Sequence, residues 1–369
     1  MINQPGFFDV MDRIQKLTAM GDPLVPLNQQ IKWEEFRISL NLIHEKDRKS
    51  NAGAKPIDVV LMFKILVLQQ LNNLSDDRIE YQIRDRLSFM RFLGLGFEDK
   101  VPDAKTVWLF RENLKELGLM DSLFARFHQQ LADHGYVAKA GQMIDATFVE
   151  VPRQRNSREE NKQIKEGEVP AEWKTEKNKS MLRQKDVDAR WTKKNKTNYY
   201  GYKNHINADS AHKLIQNYQV TTAAVHDSQV FEEILDQTTI DPKTGKKRAV
   251  HADSAYRSEE KEAWLVKASI DSQICEKGSR NHPLTEEQKA SNTKKSTVRS
   301  RVEHIFGSQA QMGGHFVRTI GLARAKVKIG MMNLVYNMVR LVQLIKLELK
   351  AAQGAAQGII LSSSDPKTA

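Results

Sequence analysis

The chain has 369 residues, 40% hydrophobic and 28% charged, which describes a soluble globular protein with length for two or three domains; its longest apolar runs, such as Val59 to Leu68, are broken by Lys or Gln, so no membrane partner is expected. The single Cys275 excludes an internal disulfide and reads as a small core residue, and Met1 to Val10 lacks the pattern of a secretory leader, so a cytoplasmic protein is expected. The 57 Lys and Arg exceed the 46 Asp and Glu for a net charge of +11, a surplus that favours a polyanionic partner but identifies no site.

Residues 1–50 read as an arm that packs on something else, with short helical patterns at Phe8 to Met20 and Ile31 to Ile43 separated by Gly21-Asp22-Pro23 and Pro26. Residues 51–135 read as helical. Lys55-Pro56 opens an amphipathic helix over Ile57 to Leu71, and Ser75 with Asp76 and Asp77 starts a second that reaches Leu87. Phe89 to Leu95 continues the apolar pattern, Pro102 to Thr106 turns into Val107 to Leu117, and Met120 to His134 follows. Such helices joined by tight turns suit a helix-turn-helix DNA reader or an ordinary bundle, and periodicity does not separate the two.

Gln142 to Val151 has the pattern of a mostly covered strand containing Asp145. A buried carboxylate is costly unless a metal, a cation or hydrogen bonds compensate it; the plainer reading is an Asp that closes a strand or caps a turn. Residues 152–198 are polar and lack periodicity, as in a long exposed excursion or a partly disordered loop. Arg183, Arg190, Trp191, Lys193, Lys194 and Lys196, followed by Tyr202 and Lys203, interleave cations with rings, which suits phosphate contact and stacking on unpaired bases. Asn156 to Glu176, diluted by Glu, reads as a solvated charged loop.

Tyr202 to Asp209 and Leu214 to Ala224 form a predicted antiparallel hairpin on the Asp145 strand, followed by a short helix at Ser228 to Leu235. Arg248 to Tyr256 is a second apolar strand carrying Asp253, and the helix Glu259 to Ala268 with the strand Ser272 to Glu276 completes a β-α-β order typical of a parallel portion of a sheet. Gly278 to Thr297 is basic and turn-rich. The helix Val298 to Gln311 sets Arg299 and Glu303 one turn apart on one side, a spacing that alone means a surface ion pair. Beyond Gly313-Gly314, Ala323 to Lys350 is a long helix covering the sheet, and residues 351–369 form a flexible tail.

Three carboxylates stand out by context, Asp145, Asp253 and Glu303, separated by 108 and 50 residues. If the strands are neighbours and the helix crosses them, the three converge, and three anions at one point are stable at neutral pH only with cations bound. Hard oxygen ligands suit Mg2+ or Mn2+ rather than zinc. Two such ions about 3.5–4 Å apart activate a water or a 3′ hydroxyl for in-line attack on a phosphodiester. His226, His251 and His304 read as packing or supporting residues.

Asp145 in Ile-Asp-Ala-Thr, Asp253 in Ala-Asp-Ser-Ala-Tyr-Arg and Glu303 in Arg-x-x-x-Glu-His-Ile-Phe-Gly resemble the three acidic motifs of DDE transposases of the IS5 group, and Lys55 to Leu117 resembles that group's helical N-terminal domain. The resemblance implies an α/β fold: an RNase H-like mixed sheet flanked by helices over 136–350, behind an all-helical N-terminal DNA-binding region. It further implies Mg2+ or Mn2+ on Asp145, Asp253 and Glu303, with Arg299 orienting a phosphate or Glu303. The implied partner is double-stranded DNA, as terminal inverted repeats and target, cut and joined by a homo-oligomer in a bacterial cytoplasm. The wider group carries Tyr three residues before the Arg and Lys seven after the Glu, where this chain has Ser296 and Ala310; Lys294, Lys295, Arg301 and Arg318 are the candidates to replace those phosphate contacts. The short interval from Asp253 to Glu303 leaves no room for the large strand-rich insertion of some relatives. A non-catalytic DNA-binding protein derived from such an enzyme is the alternative reading.

Overall fold

Caps divide the N-terminal region into short helices. Asp58, Ser75 and Asp103 each accept hydrogen bonds from amides of the helix that follows, satisfying donors a helix start leaves open. The computed structural model describes residues 9–45, 55–138, 140–279 and 282–363. The helices are α1 (Asp9–Ala19), α2 (Leu24–Gln30), α3 (Arg37–Asn41), α4 (Val59–Leu71), α5 (Asp76–Asp85), α6 (Leu87–Leu93), α7 (Ala104–Glu116) and α8 (Met120–Asp133). Phe8, residues 46–54 and residues 364–369, parts of the expected arm, helical region and tail, lie outside the described residues. Trp33 meets Phe92 edge-on at 5.5 Å and Phe36 lies 4.9 Å from Phe63, so the 3-10 turn Trp33–Phe36, α4 and α6 close over one aromatic cluster.

The sheet has six strands: β1 (Gln142–Glu150), β2 (Arg190–Lys194), β3 (Thr197–Asp209), β4 (Ile215–Thr222), β5 (Lys247–Ala252) and β6 (Ile270–Ile274). Their order is β2-β3-β1-β5-β6, with β4 beside the second half of β3. The β1, β3 and β4 pairings are antiparallel, and β1 with β5 and β5 with β6 are parallel, as the hairpin and β-α-β patterns predict. Where β3 passes from β2 to β4, Gly201 has φ +147, and a Cβ there would lie 2.4 Å from the Val149 carbonyl. This mixed sheet between helical layers agrees with the RNase H-like core.

Alternation along β1 sorts its side chains to two faces. Met143 and Val149 join Tyr202 and Ile206 in the larger core, which continues without interruption into the N-terminal helices and α15 (Leu322–Ser363). Ile144 faces the smaller core, with Val250, α11 (Asp227–Ile234) and α12 (Glu259–Lys267). Cys275, just after β6, is buried with its thiol 3.5 Å from the Ser296 hydroxyl.

Three stretches differ from the sequence expectation. The excursion after Val151 is structured: α9 (Arg158–Lys165) has a capping box of Ser157 and Glu160, α10 (Lys179–Leu182) is a single turn, Trp173 is 1% exposed, and the chain re-enters the sheet at Arg190. The turn-rich segment before Val298 is a helix, α13 (Glu286–Arg299), which ends one residue before α14 (Arg301–Gln311) begins. Finally α15 runs to Ser363, past the predicted end at Lys350, as 42 residues that pack on α2, α4, α7, α8 and β4.

Candidate active site

Asp145 sits mid-strand on β1, two residues past the last β1–β5 pair, Met143 with His251, and Asp253 lies two residues past the same pair on the other side, near enough for its charge to act on Asp145. Asp253 follows the last residue of β5 and caps the 3-10 turn Ser254–Tyr256, its Oδ1 accepting from the Ala255 amide at 2.7 Å. From α13, Arg299 Nη1 donates to Asp145 Oδ2 at 2.8 Å, while Asp145 Oδ1 accepts from the Ala146 amide at 2.8 Å. Burial lifts the Asp145 carboxyl to about 6; Arg299 and the amide oppose the rise, and the charge of Asp253 adds to it. The site therefore spends free energy to keep this carboxylate charged, which extra positive charge would recover.

Glu303 is placed differently. Val302 and Ile305 point α14 into the core, which turns Glu303 outward into solvent. The break at Ser300 puts Arg299 and Glu303 on separate helices, so the expected one-turn pair does not form and Arg299 serves Asp145 instead. Among the described residues, no three His, Cys, Asp or Glu side chains stand close enough to hold a metal ion together. The pair Asp145 and Asp253 fits a divalent cation by chemistry, as hard oxygen donors whose charges raise one another's energy. His226 caps α11 through Nδ1, and His304 is exposed on α14.

Tyr256, three residues after Asp253, belongs to the site. It is 1% exposed and its hydroxyl has no hydrogen-bond partner; burial raises its pKa well above the usual value, and the charges of Asp145, Asp227 and Asp253 raise it further. The ring packs in the smaller core, 5.7 Å from that of Phe231, and an apolar strand reading hides the residue because the chain turns at Asp253.

The expected DNA contacts divide in two. Arg183, Trp191, Lys193, Lys194, Lys196, Lys294 and Arg318 are exposed. Arg301 is exposed too, although its Nη1 donates to the Ser210 carbonyl at 2.9 Å. Four others are committed inside the protein, which corrects the expectation for them. Tyr202 is fully buried on the core face of β3 and donates to Asp186 at 2.7 Å. Lys203 donates to Asp227 Oδ1 at 2.8 Å and the Val225 carbonyl at 2.7 Å. Arg190 donates to the carbonyls of Val187 and Ile164, and Lys295 to that of Ile274 with Glu276 at 3.5 Å. The exposed lysines cluster at the β2–β3 hairpin, whose two-residue turn places Asn195 and Lys196 at φ 48 and 68. Lys194 reaches back over the Phe148 ring at 5.8 Å, close enough for its charge to act on Asp145.

Residues 12–113 match the family model described as Transposase domain (DUF772), and residues 138–338 match the Transposase DDE domain. Among solved structures, the chain is similar to a piggyBac transposase synaptic complex with hairpin DNA, at 15% identity and a TM-score of 0.43 over 87% of this chain and 74% of that one. The DDE-domain match alone takes in more than half of the chain, and the protein is accordingly a member of the DDE transposase family.

Proposed function

We propose that this transposase binds the terminal inverted repeats of an insertion sequence of the IS5 group and cuts and joins DNA with Mg2+ or Mn2+ held by Asp145, Asp253 and Glu303. The observation that carries the reading is the alignment of Asp145 with Asp253 at the edge of the β1–β5 pair, with Arg299 on Asp145. A divalent cation there supplies charge for the attacking and leaving oxygens of a phosphodiester. The chain's own residues do the rest. Arg299 holds the Asp145 carboxylate in one orientation, and the Ala146 amide fixes its other oxygen. Lys193, Lys194 and Lys196 at the hairpin supply cations for DNA phosphates beside the site.

Cleavage of a labelled inverted-repeat duplex should require Mg2+ or Mn2+ and should be lost in Asp145→Asn and Asp253→Asn proteins that remain folded. Full cleavage by either variant overturns the reading. Joining of the cut 3′ end to target DNA separates a transposase reaction from simple nuclease action. The outward position of Glu303 favours a second reading, a DNA-binding protein without catalysis. Steeply salt-dependent binding with no metal-dependent cleavage would select it.

A further inference from the structure

Between α4, α5 and α7 on one side, and residues 313–320 with the start of α15 on the other, lies a cleft of about 890 Å3. That volume is typical of pockets that enclose a ligand, about 300–1,000 Å3. Five Lys and Arg side chains line the cleft against two carboxylates. Arg111 is spent on Asp76, to which it donates at 2.8 and 2.7 Å, and Arg324 on Glu112 at 2.7 and 2.8 Å, with Lys115 also on Glu112 at 2.8 Å. Among the described residues, Arg318 and Lys328 have no protein acceptor within bonding distance. Burial, and then the neighbouring Arg111 charge, lowers Lys328 to about 8, so an anion beside it would stabilise its charged form. The Thr319 hydroxyl in the same wall is buried without a partner. Two rings, Trp108 and Phe316, line the cleft while remaining 43% and 46% exposed.

We propose that this cleft holds one nucleotide of an unpaired DNA strand, with its phosphate between Lys328 and Arg318 and its base against Trp108 or Phe316. The proposal rests on the DNA-cutting reading of the acidic site. Unpaired DNA is favoured over duplex because the cleft is of ligand size and offers exposed rings, which stack on a base only when its face is free. The cleft is also tied to the site: the Glu150 amide donates to the His315 carbonyl and the Val317 amide to the Glu150 carbonyl, both at 2.9 Å. Asp145 is five residues back along β1, roughly 17 Å at strand rise, or about five steps of a nucleotide strand at 3.4 Å each.

The test is fluorescence anisotropy of the full chain with a labelled ten-nucleotide oligothymidylate, in divalent-free buffer, titrated with salt. Arg318→Ala and Lys328→Met should each weaken binding about tenfold and reduce the slope of log K against log salt by about 0.7. Trp108→Ala should weaken binding by about tenfold and leave the slope unchanged. Because Lys328→Met removes a buried charge and changes packing, the exposed Arg318 and Trp108 decide the matter if it fails to fold. Wild-type binding by both Arg318→Ala and Trp108→Ala overturns the proposal. So does inorganic phosphate that displaces the strand equally from wild type and Trp108→Ala, which marks an anion site only. Failure of metal-dependent cleavage with strand binding intact would remove the active-site reading and leave the cleft standing.

Discussion

Asp145 lies in a strand that β3 pairs along its full length and β5 at its start, whereas Glu303 lies in the first turn of a helix that begins one residue after another ends. The first position is fixed by the β3 ladder on one side and by the β5 pairing that ends two residues before it. The second depends on what holds α14: buried Val302 and Ile305, and a closed set of amides in which Asn204 and Gln309 donate to Asn333 at 2.9 and 2.7 Å and Asn333 donates back to Asn204 at 3.1 Å. A strand position is over-determined, while a helix position hangs on a few side chains. The carboxylates proposed above as metal ligands include one of each kind.

Substitution of the acids breaks the comparison most sharply. Asp145→Asn and Asp253→Asn should lower metal-dependent cleavage more than about a thousandfold. Glu303→Gln should do the same without lowering the melting temperature, since its side chain is exposed. Full cleavage by folded Glu303→Gln would leave the helical side without a chemical role. The next largest effect is expected at the amides that hold α14. Asn333→Leu strands Asn204 and Gln309 and should cost about 2–3 kcal/mol in urea denaturation, with cleavage per folded molecule also reduced. Unchanged cleavage in the folded fraction would separate that network from the position of Glu303.

On the sheet side, fully buried Arg248 donates to Asp236 at 2.9 Å. Burial alone would raise Asp236, but hydrogen bonds from Thr239, Thr238 and Arg248 hold it at about 2. Its folded value lies below the unfolded one of about 3.9, so its contribution is present above pH 4 and is lost as pH falls toward 2. Thermal melts of Asp236→Asn should show a deficit of about 1–2 kcal/mol at pH 7 that vanishes near pH 2; a pH-independent deficit would assign the loss to packing. The smallest effect belongs to the hairpin. Each of Lys193→Ala, Lys194→Ala and Lys196→Ala should reduce the salt slope of duplex binding by about 0.9, and an unchanged slope in the triple variant would leave the hairpin off the DNA.

Most strands were legible because their signals are local; β2 and the first residues of β3 were not, since they fall within the polar stretch read as an excursion. Alternation and turn residues mark β1, the β3–β4 hairpin and the β5-α12-β6 unit within a few positions of their observed limits. By contrast α13 carries hardly an apolar residue, so periodicity passes over it; its signal is the capping box of Thr285 and Gln288. The same kind of box, Ser157 with Glu160, marks order within the excursion. Tyr202 and Lys203 look like DNA contacts because they follow a basic run, yet strand alternation turns Tyr202 inward and Lys203 finds Asp227, 24 residues on, across a tertiary contact. Arg299 is similar: its partner is 154 residues away, and spacing on its own helix pointed to the wrong carboxylate.

One consequence follows from the unbroken larger core. Helix α15, about 63 Å long at 1.5 Å per residue, packs on α2, α4, α7 and α8 and on β4, where the Asn337 amide bonds both backbone groups of Ile215 at 2.9 and 2.8 Å. The helical region and the sheet are thus bolted to one beam. A ligand held on the N-terminal helices would therefore sit at a set distance from Asp145, as on a gauge whose span is fixed by the packing of this one helix.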